Sequence, residues 1–141
     1  MKHRVHAIIV VFAVAFFAFA ALSLAATGLN PAMQALVDGY KGSAKVMTFS
    51  PDAGRRFYAE KRTHSSGETR SCATCHTENP SASGKTPVGK VIEPISPAVN
   101  KSRFTDPKKV EKWFTRNCKW VLERECTDNE KGDYIAFMLS L

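Results

Sequence analysis

Apolar residues recur at helical spacing in four stretches of the chain, and a helix-capping residue precedes each stretch. The predicted helices begin after Asn30, Ser50, Asp106 and Thr127. Their apolar positions are Met33, Leu36, Val37 and Tyr40; Phe57 and Tyr58; Val110, Trp113, Phe114 and Val121; and Tyr134, Ile135, Met138 and Leu139. Runs with the two-residue period of a strand are scarce, so the pattern predicts an all-α fold.

Proline follows the cap in the first three of these stretches, at the helical position where its missing N–H is no loss. At the fourth, Thr127 and Glu130 have the spacing of a capping box. We expect the first helix to end near Gly39 or Gly42.

The N-terminal segment follows a different pattern and is excluded from the folded domain. Lys2 and Arg4 precede an uncharged apolar run that ends at Ala26. These features are typical of a secretory signal peptide. We expect residues 1–26 to be the signal and residues 27–141 to form one domain. If it is not cleaved, a run of this length can anchor the chain in a membrane.

The strongest chemical signal is the run Cys72-Ala73-Thr74-Cys75-His76, a C-x-x-C-H motif typical of covalent c-type haem attachment. Two thiols three positions apart can each add to a haem vinyl group, and the imidazole that follows can bind the iron. We expect one covalently bound haem c, with Cys72 and Cys75 as tethers and His76 as the proximal ligand. Because haem is attached to such thiols outside the bacterial cytoplasm, this chemistry fits export to the periplasm.

Zinc binding and dithiol redox chemistry are the alternatives for this motif. A structural zinc site needs four ligands, commonly in two separated pairs, and Cys118 and Cys126 lack that pair spacing. A thioredoxin-like motif requires a βαβ pattern around the cysteines, which the sequence does not show. Haem attachment is therefore the preferred interpretation.

Residues 77–102 are rich in proline and glycine and contain no methionine and no histidine. Frequent proline and glycine residues predict a segment without regular structure. It is too long for a simple connector, so we expect it to wrap one haem edge. The usual cytochrome c takes its sixth ligand, a methionine, from this segment. We interpret Met33 as a core residue and Met138 as packing at the haem edge, because both lie on helical stripes.

The formal net charge is +7, and it falls to +5 when Lys2 and Arg4 are removed with the signal. The basic residues are scattered among acidic ones, which does not indicate a nucleic-acid interface. A surplus of this size fits steering towards an acidic redox partner or a membrane surface. We expect a monomer.

Asn117 interrupts the apolar stripe of the third predicted helix, provided that the helix extends that far. It lies four positions after Trp113 and four before Val121, so it shares their face and is expected to point at the core. A buried amide without a partner costs about 1–3 kcal/mol. Spacing leaves two interpretations open: a ligand of the haem iron, or an amide bonded to backbone or propionate. His64 is a competing ligand, although its polar loop favours a solvated side chain.

The C-terminal part of the chain carries a more specific combination of residues. It comprises Arg103-Phe104-Thr105-Asp106, Val110-Glu111-Lys112-Trp113, Arg116-Asn117-Cys118, Arg124, Cys126-Thr127 and Glu130-Lys131. In these residues the chain resembles the Sphaeroides haem protein family of monohaem c-type cytochromes. The similarity runs from Ala35 to Leu141, and two positions depart from the family pattern: Phe137, where tryptophan is expected, and His64.

The resemblance implies a class I cytochrome c-like fold, with helices around one covalently bound haem and a helix crossing at Gly54 and Tyr58. It implies that Asn117 is an unusual sixth ligand, opposite His76, that leaves the iron on reduction. It also implies a disulfide between Cys118 and Cys126. A dihaem cytochrome c or a membrane b-type cytochrome is the implied redox partner, and oxygen or nitric oxide the implied gas ligand.

Three functions follow as hypotheses. The preferred one is an exported cytochrome that transfers electrons and binds a diatomic gas when reduced. The sequence does not decide whether it also has an oxygenase-type activity. The alternative is an ordinary electron-transfer cytochrome c whose iron stays six-coordinate. The third is a haem-based gas sensor, which would normally be joined to an output domain.

Overall fold

The structure, a computed structural model, describes residues 28–141 and is mainly helical. The helices are α1 (Pro31–Ala44), α2 (Pro51–Ala59), α3 (Ala73–His76), α4 (Pro107–Leu122) and α5 (Asp128–Leu139). Two antiparallel hairpins pair β1 (Arg62–Thr63) with β2 (Thr69–Arg70) and β3 (Gly84–Lys85) with β4 (Val91–Ile92). The predicted signal peptide, residues 1–26, lies outside the described part of the chain. Within residues 28–141, no helix combines the length and the apolar character needed to span a bilayer.

The four long helices begin where the capping pattern predicted. The side chain of Asn30 accepts the Met33 N–H at 2.9 Å, and that of Ser50 accepts the Ala53 N–H at 3.1 Å. Asp106 caps α4 in the same way, and both hydrogen bonds of the predicted capping box are present at α5. Each such cap contributes about 1 kcal/mol, so short polar side chains fix the helix starts.

Helix α1 ends at Ala44, close to Gly42, one of the two glycines near which it was expected to end. The following Lys45 adopts the left-handed conformation with φ of 56°. A Cβ added at Gly39 or Gly42 would meet no neighbouring atom within 4 Å, so each glycine costs the helix about 1 kcal/mol relative to alanine without serving a close contact. Burial of Met33 on this helix helps to offset that loss.

The segment 77–102 is not free of regular structure, which corrects the expectation from its prolines. Gly84 pairs with Ile92 and Lys85 with Val91. Strands of two residues are too short to produce a recognisable alternation, so the sequence pattern could not indicate them. The side chain of Arg103 also fixes this segment by donating to the carbonyl of Pro94 at 2.8 Å.

The crossing of α2 and α5 is the tightest helix contact in the described residues, and it lies at Gly54 as the family resemblance implied. A Cβ at Gly54 would lie 1.9 Å from the Asp133 carbonyl oxygen and 2.8 Å from the Phe137 Cβ. The Asp133 carboxylate accepts the Ser50 N–H at 2.7 Å, which ties α5 to the start of α2. Only glycine allows this approach of the two backbones.

Both methionines of interest are fully buried in the protein core. Met33 packs with Tyr40, Phe114 and other apolar residues, which confirms its interpretation as a core residue. Met138 packs with Tyr58 and its neighbours. Met138 is not among the described residues that line the large cavity, but Cys72 of the C-x-x-C-H motif packs against the same cluster. The packing of Met138 at a haem edge stays a prediction.

A disulfide joins Cys118 on α4 to Cys126 in the turn before α5, with the two Cα atoms 5.6 Å apart. It closes a loop across eight positions. Both cysteines are buried, so the bond fixes the C-terminal part of α4 against the start of α5.

Gly54→Ala is expected to destabilise the protein by about 1–3 kcal/mol, because neither the Asp133 carbonyl nor the Phe137 Cβ can move unless α5 shifts. Urea unfolding measures this difference. Gly39→Ala is the matched control: no atom of another element lies within 4 Å of its added methyl group. It is expected to be neutral or stabilising by up to about 1 kcal/mol. Equal stability of the two variants would contradict the close crossing.

Replacement of both Cys118 and Cys126 by serine is expected to lower the free energy of unfolding by about 2.5 kcal/mol, the chain-entropy value for so short a loop. Urea unfolding of the double variant should match that of the wild type unfolded with a thiol reductant. A double variant as stable as the oxidised wild type would show that the bond does not restrain the unfolded chain.

Candidate haem site

The C-x-x-C-H motif forms one turn of helix, α3, whose start is fixed by local hydrogen bonds. The Ser71 N–H donates to the Thr74 hydroxyl at 2.9 Å, and the Thr74 N–H donates to the Ser71 hydroxyl at 3.2 Å. The His76 N–H then donates to the Cys72 carbonyl at 3.2 Å. This turn brings the side chains of Cys72, Cys75 and His76 to the wall of one cavity.

The cavity has a volume of about 750 Å³, which lies within the range of about 300–1,000 Å³ typical of cofactor pockets. Its walls come from α2, the C-x-x-C-H motif, the segment 86–106, α4 and the middle of α5. Large apolar side chains dominate them, including Phe57, Ile95, Phe104, Val110, Trp113, Phe114, Trp120, Val121 and Tyr134. Two thiols, an imidazole and an apolar enclosure are the features that a covalently held porphyrin requires, so the residues present fit a c-type haem.

Gly84 shapes the motif from outside the cavity, a role that the sequence analysis did not assign to it. A Cβ at this position would lie 2.0 Å from the Cys75 carbonyl oxygen. Strand β3 therefore packs directly on the backbone of α3. The sequence shows Gly84 only as one of several turn residues, and no local signal identifies the contact.

The electrostatics of the motif favour neutral groups. Burial raises the pKa of the Cys72 thiol to about 11 and also raises that of Cys75. A raised pKa is the opposite of what activates a redox-active or metal-binding cysteine. Burial, with a smaller contribution from Arg103, lowers the pKa of His76, and the neutral imidazole is the form that binds iron. The Cys118–Cys126 disulfide removes the other two thiols that a zinc site would need.

Asn117 lies on α4, which extends to Leu122, and its side chain lines the same cavity as the motif. It is exposed to the cavity, which corrects the expectation that it points into the protein core. Its carboxamide makes no hydrogen bond to another described residue. The next residue, Cys118, is held by the disulfide, so the backbone at this point of α4 is fixed.

His64 lies away from the cavity, in the turn between β1 and β2. Its Nε2 atom lies 3.2 Å from the Glu123 carboxylate and its Nδ1 atom 3.1 Å from the Ser66 hydroxyl. Both ring nitrogens have partners, and the residue is not among those that line the cavity. This arrangement does not support His64 as an iron ligand.

Glu123 is a second residue that the sequence analysis did not single out. It ends α4 in the left-handed conformation, with φ of 57°, which costs a residue other than glycine about 1–2 kcal/mol. Its carboxylate accepts the Ser65 N–H at 2.8 Å and also the Ser65 hydroxyl. Next to it, Arg70 donates to the Trp120 carbonyl at 3.0 Å. The hairpin that leads into the motif is thereby joined to the end of the helix that carries Asn117.

Comparison with known proteins identifies the family. A family profile described as a domain of unknown function, DUF1924, matches residues 44–138. The cytochrome c-type protein SHP of Cereibacter sphaeroides is 38% identical over 103 residues, which cover 73% of this chain and 79% of that protein. Cytochrome c'' of Methylophilus methylotrophus is 43% identical over 101 residues, or 70% of each chain.

Solved structures of both relatives share the fold. Oxidised SHP, described as an oxygen-binding cytochrome c, superposes with a TM-score of 0.72 at 36% identity, over 77% of this chain and 96% of that one. The solution structure of cytochrome c'', described in terms of haem-ligand detachment, gives a TM-score of 0.69 at 38% identity, over 77% and 93%. With this similarity, and with the C-x-x-C-H motif at the wall of the cavity, the chain belongs to the Sphaeroides haem protein family and is a cytochrome c.

Proposed function

We propose that this protein is an exported monohaem cytochrome c whose sixth ligand, Asn117, leaves the iron on reduction and opens a site for a diatomic gas. Haem attached at Cys72 and Cys75 supplies an iron that accepts one electron and can bind oxygen or nitric oxide. His76 is the permanent ligand in this proposal. The fold and the family support a c-type cytochrome, and we propose His76 and Asn117 as its iron ligands.

The observation that carries the proposal is that Asn117 and the C-x-x-C-H motif line one cavity. Among the described residues that line it, His76 is the one histidine, and there is no methionine. Cys118 also lines the cavity but is held in a disulfide. A neutral amide that makes no other hydrogen bond is the candidate best placed to reach the iron from α4.

The chemistry of an amide ligand explains why it would leave on reduction. An uncharged carboxamide is a weak ligand whose hard oxygen suits ferric iron better than ferrous iron. Adding an electron would therefore weaken a bond from Asn117 to the iron, while the imidazole of His76 would remain a good ligand in both states. Haem-ligand detachment is described for the related cytochrome c'', which supports this step.

The walls beside Asn117 favour a small neutral ligand. Val110, Trp113, Phe114 and Val121 present apolar surface to the cavity along α4. A diatomic gas loses little hydration when it enters such a pocket, whereas an anion would lose much more. Oxygen binding is described for the related SHP, and this is the second comparison that supports the proposal.

The setting of the reaction is also part of the proposal. The signal at residues 1–26 would direct the chain to the periplasm, or hold it at the membrane if uncleaved. A dihaem cytochrome c or a membrane b-type cytochrome would exchange electrons with it. The net positive charge of the mature chain suits an acidic partner.

The mature protein is expected to retain its haem through acid–acetone extraction, because Cys72 and Cys75 would hold it by thioether bonds. Mass spectrometry should show the added mass of one haem, and Cys72→Ala should leave a single thioether link. Haem that extracts freely from the wild type would contradict the covalent assignment.

Asn117→Ala is expected to convert the oxidised protein from a low-spin to a high-spin or water-ligated spectrum, because the amide ligand is lost. The reduced variant should resemble the reduced wild type, which is expected to be high-spin and to take up carbon monoxide without delay. Lys109→Ala is the matched control, since Lys109 lines the cavity two turns earlier on α4. Its spectra should match the wild type in both states.

An Asn117→Ala protein with wild-type spectra in both redox states would refute the ligand assignment. A reduced wild type that stays low-spin and excludes carbon monoxide would instead favour an ordinary electron-transfer cytochrome.

A further inference from the structure

Thr77, the residue that follows His76, has an unusual backbone conformation. Its φ is 62° and its ψ is 170°. This region of backbone space is essentially restricted to glycine, and a β-branched residue in it is strained. Strain of this kind persists only where surrounding contacts over-determine the conformation.

The Tyr58 hydroxyl makes a long-range contact that holds Thr77. It donates to the Thr77 carbonyl at 2.5 Å. The Thr77 hydroxyl in turn donates to the Asn79 carbonyl at 2.9 Å. Thr77, the residue directly after His76, is therefore held through both its carbonyl and its side chain.

Tyr58 cannot easily follow a movement of Thr77, because its ring is fixed in the core. It is 2% exposed and lies on α2, one helical turn after Gly54. Its ring centroid lies 5.7 Å from that of Phe137 and 6.2 Å from that of Tyr134, both on α5. The hydroxyl therefore transmits the position of the α2–α5 crossing to the backbone beside His76.

We propose that Tyr58 is a positioning residue for His76: its hydroxyl holds the strained Thr77 peptide and thereby sets the orientation of the imidazole towards the iron. The inference rests on the part of the proposed function in which His76 binds the haem iron, and it does not depend on Asn117. Groups that orient a metal ligand from outside its first contacts commonly tune how that ligand binds. Here the group acts through the backbone.

The test compares Tyr58→Phe with the wild type as full-length, haem-loaded protein. The variant loses one hydroxyl and keeps the ring. We expect the iron–histidine stretching band in the resonance Raman spectrum of the reduced protein to shift or broaden. The affinity of the reduced protein for carbon monoxide is expected to change by about 2- to 10-fold, which corresponds to the net free energy of a typical hydrogen bond.

Tyr40→Phe is the matched control for a purely structural effect. Tyr40 is 4% exposed and donates its hydroxyl to Glu111, and neither residue lines the cavity. It should lower the stability of the protein without moving the iron–histidine band. If Tyr58→Phe leaves the band and the carbon monoxide affinity as Tyr40→Phe does, Tyr58 is only a core residue and the inference is overturned.

Thr77→Gly provides an independent arm, because glycine adopts this conformation without strain and does not need the Tyr58 hydroxyl to hold it. The iron–histidine band of this variant is expected to stay close to that of the wild type, and adding Tyr58→Phe should change it less than Tyr58→Phe changes the wild type. If Tyr58→Phe does not fold, the Tyr58→Phe/Thr77→Gly double variant should fold with a band close to that of Thr77→Gly, and a double variant that fails to fold as well would overturn the inference.

The outcomes separate this inference from the proposed function. A shifted band in Tyr58→Phe, with wild-type spectra in Asn117→Ala, would retain Tyr58 as a positioning residue and reject the amide ligand. A wild-type band in Tyr58→Phe, with the expected change in Asn117→Ala, would reject only the role of Tyr58.

Discussion

The close approach of α2 and α5 at Gly54 is the constraint on which the arrangement of the site depends. Because no side chain separates Gly54 from the Asp133 carbonyl, the two backbones meet directly. The crossing fixes where α2 carries Tyr58, and Phe137 fills the space beside that ring. Phenylalanine at position 137, where the family pattern suggested tryptophan, is thus a buried part of this joint.

The other side of the cavity is held by different means. The disulfide at Cys118 fixes α4 at the position after Asn117, and the Glu123 carboxylate joins the end of this helix to Ser65. In the proposed function, the loss of Asn117 from the iron is therefore a movement of its side chain while the helix stays in place. His76 ends α3 at another wall of the cavity and is followed directly by the strained Thr77. In that proposal the site would open on the Asn117 side only.

The sequence predicted those features that depend on short-range chemistry. Caps such as Asn30 and Thr127 located the helix starts, because a capping side chain acts within three residues. The hairpin at Gly84 was missed, because two-residue strands leave no periodic signal. The contact between Tyr58 and Thr77 could not be found either, since it joins residues 19 positions apart that meet only in the folded chain. Asn117 was identified because it interrupts an apolar stripe. Its exposure to a cavity could not be predicted, because the cavity is formed by segments that are far apart in the sequence.

X-ray absorption at the iron edge of the wild-type protein, oxidised and then reduced, tests the central claim most directly. The account predicts six ligands in the oxidised state, with one oxygen or nitrogen ligand in addition to His76 and the porphyrin. It predicts five ligands in the reduced state, with the bond to histidine retained. Six ligands in both states would contradict the claim that Asn117 leaves the iron when the haem is reduced.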